Sequence, residues 1–146
     1  MLIYPAIQLK TRKTRNITEC WDIVRKQWIA LTPEELVRQH FVHYLIHQKK
    51  YPIESIVVEK EFEVFSMKKR FDVAVINKKQ EFVLIAECKS PEVKLDEKVI
   101  QQILTYNLTI NARCLVLTNG LAEIVFEKIN DEWRRVKGIR EWKSII

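Results

Sequence analysis

The stretch Phe82-Val83-Leu84-Ile85-Ala86-Glu87-Cys88-Lys89-Ser90-Pro91 decides the fold of this chain. Its first five residues are all apolar, which predicts a strand that is buried on both faces. Side chains alternate along a strand, so Glu87 and Lys89 point to one side and Cys88 to the other. Pro91 has no N–H to give to a sheet and ends the strand. A carboxylate and an ammonium therefore lie side by side at the end of a buried strand, which indicates a functional site.

The composition of the 146 residues is that of one soluble globular domain, with 47% hydrophobic and 30% charged residues. A net charge of +6 is compatible with nucleic-acid binding and equally with a solvated lysine-rich surface. No run is long enough to span a membrane and no signal peptide is recognisable, so we expect a cytoplasmic protein. Three scattered cysteines argue against a zinc site or a disulfide framework. With only two glycines, the chain lacks the phosphate-cradling loops of motors and kinases.

The chain is predicted to form a single domain, because no linker, repeat or low-complexity segment divides it. Residues 1–30 are predicted to form an arm or a weak hairpin laid over the domain, with Trp21 and Trp28 as anchors. Residues 31–129 hold the predicted core. Residues 130–146 form a basic tail whose secondary structure the pattern does not predict.

The core is predicted to contain a helix, three strands, a second helix and two further strands. The first helix starts at Thr32-Pro33-Glu34-Glu35, which combines an N-cap residue, a proline for the first turn and a capping-box glutamate, and runs towards Lys50. A crossover through the second helix joins the opening strand to the next one in parallel. This is an α/β fold with a central mixed sheet flanked by two helices. The other elements are predicted as strands over 56–66, 70–76, 112–118 and 122–129, a turn at Met67-Lys68-Lys69, and the second helix from Val93 to Ile110.

Three charged residues converge in this arrangement. Asp72 lies in an otherwise apolar strand, where a carboxylate is costly unless it is paired or holds a metal. A short turn joins its strand to the opening strand, so Asp72 can sit beside Glu87. Two such carboxylates repel each other unless a divalent cation lies between them. Lys89 is placed to orient a water and hold a phosphate oxygen, although a buried structural ion network is the alternative interpretation.

Asp72, followed by Glu87-Cys88-Lys89, resembles the D…(D/E)xK signature of the PD-(D/E)XK, or restriction-endonuclease-like, nucleases. Phe71 stands where the name-giving proline would be. Over about residues 28–126 the chain is more narrowly similar to stand-alone relatives of the N-terminal nuclease domain of type I restriction enzyme R subunits. Five blocks carry this similarity in order: Thr32–Gln39, Lys69–Asp72, Ile85–Pro91, Gln102–Asn107 and Leu117–Gly120.

The resemblance implies a restriction-endonuclease-like αβββαβ core and a nuclease that uses Mg²⁺, or Mn²⁺ in its place, to cut DNA. Asp72 and Glu87 match the carboxylates that hold the metal, and Lys89 matches the catalytic lysine. Glu35 matches an additional acidic residue that many branches contribute to the metal. Two interpretations of Glu35 stay open, because it also suits the capping box of Thr32 and because Glu34 is a rival for the metal.

Further contacts to nucleic acid are implied by the same resemblance. Gln102 and Tyr106 match a QxxxY element on the second helix that supports the site and contacts nucleic acid, although both could simply line a seam between helix and sheet. The residues expected to contact nucleic acid are Arg38, Gln102, Tyr106, Lys68, Lys69 and Arg70.

The expected partner is DNA, with RNA as a less favoured substrate and no membrane. A homodimer is expected by analogy, since small nucleases often dimerise to cut both strands. The motor and methylation subunits of a type I system are not encoded in this chain. The alternative function is therefore a nuclease-fold module that binds nucleic acid or a partner without cutting and needs the missing subunits.

Overall fold

A computed structural model of the protein describes residues 1–107 and 110–146, and this part of the chain forms two β-sheets and three α-helices. A short 3-10 turn over Ile53–Ser55 precedes the fourth strand. The elements in chain order are β1 (Thr11–Thr14), β2 (Ile17–Asp22), β3 (Gln27–Ala30), α1 (Pro33–His47), β4 (Ile56–Val64), β5 (Met67–Ile76), β6 (Phe82–Cys88), α2 (Glu97–Asn107), β7 (Cys114–Thr118), β8 (Glu123–Ile129), β9 (Glu132–Val136) and α3 (Trp142–Ile145).

The central sheet has the strand order β4-β5-β6-β7-β8-β9. Its neighbouring strands are antiparallel except β6 and β7, which run parallel and pair Leu84 with Cys114 and Cys88 with Thr118. The segment between β6 and β7 contains α2, as the predicted crossover requires. The structure therefore confirms the mixed sheet and the α/β class.

Separate hydrophobic clusters cover the two faces of the central sheet. β5 is buried on both sides, so Val73 and Val75 join one cluster and Ala74, which lies between them, joins the other. Each large apolar side chain that is buried contributes about 1.5–3 kcal/mol to folding. One cluster joins α1 to the sheet through Val37, Phe41, Leu45, Val73 and Val75. The other joins α2 to the opposite face through Phe71, Ala74, Ile85, Leu115 and the partly buried Leu104.

Helix α1 begins where the sequence predicts. Thr32 Oγ1 accepts the backbone N–H of Glu35 at 3.1 Å, and Pro33 occupies the first turn. The helix ends at His47 because Lys50 takes a left-handed backbone conformation (φ 62°) and the N–H of Tyr51 bonds back to the carbonyl of Leu45. A left-handed residue just past the last turn is a common way for a helix to end.

Helix α2 is shorter than predicted. It begins at Glu97 rather than Val93, because the Asp96 carboxylate accepts the N–H of Val99 at 3.0 Å and caps the helix there. The residues before it form a turn in which the N–H of Val93 bonds to the carbonyl of Ser90. Residues 108 and 109 of the predicted helix lie outside the described part of the chain. None of the described helices is both long and apolar enough to cross a membrane.

The turn between β4 and β5 lies earlier than predicted. Phe65 and Ser66 have φ values of 49° and 64°, the pair of left-handed residues that a two-residue type I′ hairpin needs. The predicted turn residues Met67-Lys68-Lys69 therefore belong to β5, and Met67 pairs with Val64 across the turn. The prediction was wrong because neither Phe65 nor Ser66 is a residue that normally marks such a turn.

The segment predicted as an arm or a weak hairpin is a three-stranded antiparallel sheet in the order β1-β2-β3. Arg15 and Asn16, with φ values of 52° and 65°, make the turn between β1 and β2. Trp21 and Trp28 face each other across β2 and β3. Both tryptophans were expected to anchor the segment to the core. Among the described residues, neither belongs to the side chains that form the two clusters or pack against them.

The C-terminal segment, left open by the sequence, completes the central sheet. β9 pairs antiparallel with β8, and α3 follows it. Trp142 of α3 packs against the larger cluster, and its N–H bonds to the carbonyl of Lys49 at 2.9 Å. The basic residues of β9 therefore lie on an edge strand of the sheet. Charged side chains on an edge strand discourage pairing with other sheets.

Candidate active site

Asp72 and Glu87 are brought together by the pairing of β5 with β6. The antiparallel register pairs Val73 with Ala86. Asp72, which precedes Val73, therefore lies opposite Glu87, which follows Ala86. The Asp72 carboxylate is close enough to act on Glu87 both by its charge and as a hydrogen-bond partner, and both effects raise the pKa of Glu87. Asp72 Oδ2 also accepts the backbone N–H of Cys88 at 2.8 Å, which fixes the orientation of that carboxylate.

The electrostatics of this pair favour a shared proton. Burial, as the larger cause, and the neighbouring Asp72 carboxylate together raise the pKa of Glu87 to about 8. The positive charges of Lys89 and Arg38 act on the pKa of Glu87 in the opposite direction but do not cancel the rise. At neutral pH the Glu87 carboxyl is therefore largely protonated.

Lys89 follows β6 at the point where the strand ends. Its N–H donates to the carbonyl of Thr118 at 2.8 Å, which ties it to the end of the parallel neighbour β7. Its half-buried side chain is near enough to lower the pKa of Glu87. The structure therefore brings three of the predicted site residues, Asp72, Glu87 and Lys89, to one end of the central strands.

Arg38 lies at the centre of a buried ion network on the side of α1 that faces the site. Its Nη1 contacts Glu35 Oε1 at 2.6 Å, and its Nη2 lies 2.8 Å from Glu59 Oε1 and 3.4 Å from Asp72 Oδ1. Arg38 was predicted to contact nucleic acid. Because it is 5% exposed and bound to carboxylates, its place in this structure is inside the network.

Arg38 links Glu35 to the Asp72–Glu87 pair, because its guanidinium contacts both Glu35 and Asp72. The Glu35 carboxylate also accepts from Arg25 Nη2 at 2.9 Å and from Gln39 Nε2 at 3.2 Å. The reciprocal half of a capping box is not formed, since the N–H of Thr32 bonds to the carbonyl of Ala30. The carboxylate of Glu35 therefore serves the ion network, and only its backbone serves the cap.

A hard divalent cation suits the donor set that Asp72 and Glu87 present. Both side chains offer carboxylate oxygens, and a cation between them would remove the repulsion that raises the pKa of Glu87. In residues 1–107 and 110–146, no three or more His, Cys, Asp and Glu side chains converge as a set that could hold a metal. The ligand roles of Asp72, Glu87 and Glu35 stay predictions.

The sequence model of one family, the type I restriction enzyme R protein N terminus, matches residues 33–141. The chain belongs to this family. The match runs from α1 to the segment after β9 and contains every member of the Asp72–Glu87–Lys89 site. It starts after β3, so the sheet β1–β3 lies outside the matched region. A comparison with curated proteins returned no match.

Glu59 is a member of the network in this type I R-protein domain that sequence reasoning missed. The pairing of β4 with β5 is interrupted at Glu59, between Val58 and Lys60, and Glu59 has a φ of 54°. Left-handed backbone at a side chain of this kind is strained and recurs at functional sites. Glu59 bonds to Arg38 and, through Oε2, to Arg70 Nη2 at 2.7 Å. The sequence did offer one signal for Glu59. It is an acidic residue in β4, the strand that pairs with the strand of Asp72.

The remaining predicted contact residues of this family member are spread over β5 and α2. Lys68 and Arg70 are exposed on β5, whereas Lys69 is buried. Gln102 is exposed on α2, and the side chain of Tyr106 lies outside the described part of the structure. The structure thus places Arg70 beside the ion network through Glu59.

Proposed function

We propose that the chain is a Mg²⁺-dependent nuclease that hydrolyses phosphodiester bonds in DNA. The observation that carries this proposal is the hydrogen-bonded pair of Asp72 and Glu87, where burial and the second carboxylate raise the pKa of Glu87 to about 8. A pair of this kind is unfavourable in the metal-free protein and becomes favourable around a divalent cation. Membership of the type I restriction enzyme R-protein family supports a role in a DNA restriction system.

Asp72 and Glu87 would hold the ion, Mg²⁺ or Mn²⁺, through their carboxylate oxygens. A bound ion of this type polarises a phosphate oxygen and lowers the pKa of a water. The Cys88 N–H keeps Asp72 in one orientation, which is the role of an outer hydrogen bond at a metal ligand. Glu87 has to lose its proton to act as a ligand. Glu35 would act as a further ligand only after exchange of its bonds to Arg38 and Arg25.

Lys89 is proposed as the catalytic lysine. Hydrolysis adds the oxygen of a water to phosphorus and breaks one P–O ester bond, with negative charge developing on the phosphoryl oxygens. An ammonium fixed beside Glu87 orients the water and stabilises that charge. Its backbone tie to Thr118 holds it at the end of two strands, which limits its movement during the reaction.

Arg38 is proposed as a positioning residue. It contacts Asp72 and Glu59 through one guanidinium nitrogen and Glu35 through another. Its positive charge keeps the acidic cluster together before the ion binds. Among the residues expected to contact nucleic acid, Arg70 is best placed for a phosphate, because its side chain is 63% exposed. The contacts proposed for Lys68, Lys69, Gln102 and Tyr106 rest on the resemblance.

A plasmid cleavage assay tests this function. The purified chain is incubated with supercoiled plasmid and single-stranded DNA in Mg²⁺ or Mn²⁺, next to Lys89→Ala and the control Lys78→Ala in the β5–β6 turn. We expect cleavage by the wild type and the control, and a loss of about 10²-fold or more in Lys89→Ala. Equal survival of DNA with wild type and Lys89→Ala across these substrates would reject the enzymatic function.

The alternative is a domain that binds DNA or a partner subunit without cutting. The observation that favours it is that an internal cation, Arg38, already contacts Asp72 and Glu35. Salt-dependent DNA binding with no metal-dependent cleavage would support this alternative. In either case the family indicates that DNA and further restriction-system subunits are partners, and a homodimer would let one site act on each DNA strand.

A further inference from the structure

The sheet β1–β3 carries an exposed surface that the proposed nuclease site does not use. Alternation along β2 places Cys20 and Asp22, both buried, on the side that faces the domain. Trp21 and the paired residue Trp28 lie on the opposite side. We call this opposite side the outer face. It also holds Arg12, which pairs with Glu19 of β2, and Lys10, whose carbonyl accepts the N–H of Trp21.

Aromatic rings and cations are layered on the outer face. The rings of Trp21 and Trp28 meet edge to face, with centroids 5.6 Å apart. The guanidinium carbon of Arg12 lies 4.3 Å from the centroid of Trp28. Lys10 Nζ lies 5.6 Å from the same centroid and 5.8 Å from that of Trp21. Arg12 and Trp28 thus form a stack whose outer member, the guanidinium, is itself a plane on which a base can lie.

The charge around this stack suits a polyanion. Residues 1–17 contain four cations and no acidic residue, and the side chains of the four cations are exposed. The nearest acid on the outer face is Glu19, whose Oε1 accepts from Arg12 Nε at 2.9 Å. Glu19 orients the Arg12 guanidinium and partly offsets its charge. The four cations are Lys10, Arg12, Lys13 and Arg15.

The sheet is joined to the candidate active site through its inner side. Asp22 Oδ2 accepts from Gln39 Nε2 at 3.0 Å, and Arg25 bonds to both Asp22 and Glu35. A cleft of about 420 Å³ separates the turn after β2 from β4 and β5, and its lining includes Arg25, Gln27, Glu59, Lys60 and Arg70. Through Glu59, which contacts Arg38, this partly basic cleft borders the ion network of the candidate site.

We propose that the outer face binds single-stranded DNA. Bases stack on Trp28 and the Arg12 guanidinium, and the phosphates lie near Lys10 and Arg15. An aromatic stack requires bases with free faces, which a duplex keeps inside its own stack. The proposal rests on the proposed function only in naming the bound strand as the DNA that reaches Asp72 and Glu87. The surface lies outside residues 33–141, the region that the family model matches.

Fluorescence anisotropy with a labelled 20-nucleotide oligo(dT) in EDTA tests the surface without any cleavage. Trp28→Leu is expected to weaken binding about tenfold or more, and Trp28→Phe to restore most of it, as base–aromatic stacking predicts. Arg12→Ala should weaken binding and reduce the slope of log K against log salt by about 0.7. The double variant Lys78→Ala/Lys79→Ala, which removes two exposed cations from the β5–β6 turn, should bind like the wild type.

Glu19→Gln should change the affinity for oligo(dT) in the opposite direction. It removes the carboxylate that offsets Arg12, so oligo(dT) should bind more tightly, a result that damage to the sheet cannot produce. Circular dichroism of each variant confirms folding. Equal losses in Arg12→Ala and in the lysine control, or tighter binding of a hairpin duplex or oligo(U) than of oligo(dT), would overturn the proposal. Loss of plasmid cleavage with intact oligo(dT) binding would instead count against the nuclease function alone.

Discussion

Glu87 retains its proton at neutral pH because it is buried and lies against the Asp72 carboxylate. A carboxyl whose pKa is raised by folding stabilises the protein below its unfolded pKa. That contribution is lost as the pH rises through the folded pKa. In the metal-free protein the stabilisation by Glu87 is therefore present near pH 4 and disappears by about pH 8.

Glu87→Gln should remove this pH dependence, because an amide keeps the hydrogen bond to Asp72 and cannot ionise. In EDTA, the wild type should lose stability relative to Glu87→Gln between pH 5 and pH 9, by on the order of 3 kcal/mol. Urea unfolding at each pH measures the difference. Parallel pH profiles for the two proteins would show that Glu87 ionises normally.

The same variant separates the metal site from the fold. With Mg²⁺ or Mn²⁺ added, the melting temperature of the wild type should rise more at pH 8.5 than at pH 6.5, since less proton has to be displaced from Glu87. Glu87→Gln and Asp72→Asn should show little rise, whereas Lys78→Ala should respond like the wild type. An equal rise in all four proteins would place the ion elsewhere.

Arg38 contacts three carboxylates in a buried setting, so its removal leaves Glu35, Glu59 and Asp72 without their shared cation. Arg38→Ala should lower the free energy of unfolding by about 3–5 kcal/mol. The matched control is Arg70→Ala, which removes one ion pair with Glu59 from an exposed position and should cost at most about 1 kcal/mol. Urea denaturation of both variants at pH 7 compares them, and equal losses would contradict the central position of Arg38.

At the scale of elements, the site is predictable where local rules and the buried pattern agree. The apolar run before Glu87 defined β6, and the short turn before it defined its partner β5, so the meeting of Asp72 with Glu87 followed from pairing alone. Thr32 and Pro33 defined the start of α1 in the same way.

Other elements were not predictable because tertiary contacts select them. Phe65 adopts a left-handed turn that few aromatic residues adopt, and Asp96 caps α2 where the apolar pattern had already begun. Arg38 and Glu59 meet only after α1 packs against the sheet. Neither residue has a sequence neighbour that reveals this long-range ion pair.

The β4–β5 turn offers a stabilising change. Phe65 is 80% exposed and has a φ of 49°, and Ser66 has a φ of 64°. The double change Phe65→Asn/Ser66→Gly supplies the residues that favour a type I′ turn and should raise stability by about 1 kcal/mol. Phe65→Ala is the control, because it removes the ring and keeps the backbone strain. Thermal unfolding compares the two, and a gain of equal size in the control would assign the effect to the exposed ring.

For the whole molecule, the first residues are tied to the late strands. The Tyr4 hydroxyl lies 2.8 Å from Thr118 Oγ1 and 2.9 Å from Glu123 Oε1. The N–H of Ile3 donates to the carbonyl of Gly120 at 2.7 Å. Gly120 has a φ of 82°, and a Cβ there would come within 2.7 Å of Leu2. These contacts make residues 2–4 part of the same packed unit as β7 and β8.

Tyr4→Phe should therefore destabilise the entire domain and not only the N-terminal segment. Loss of the hydroxyl leaves the buried Thr118 hydroxyl and the half-buried Glu123 carboxylate with fewer partners, at a cost of about 1–3 kcal/mol. Tryptophan fluorescence and far-UV circular dichroism should shift to the same lower urea midpoint. Different midpoints for the two signals would contradict unfolding of the domain as one unit.

The hydrogen bond between Tyr4 and Thr118, at the end of β7, can form only late in the synthesis of the chain. More than 110 residues separate Tyr4 from Thr118, and a ribosome that adds about 5–20 residues per second needs roughly 6–23 s to make them. During that interval Ile3 and Tyr4 lack their hydrogen bonds to Gly120, Thr118 and Glu123. The N-terminal residues can therefore complete their hydrogen bonds only after β8 has been made, and translation speed sets the length of that delay.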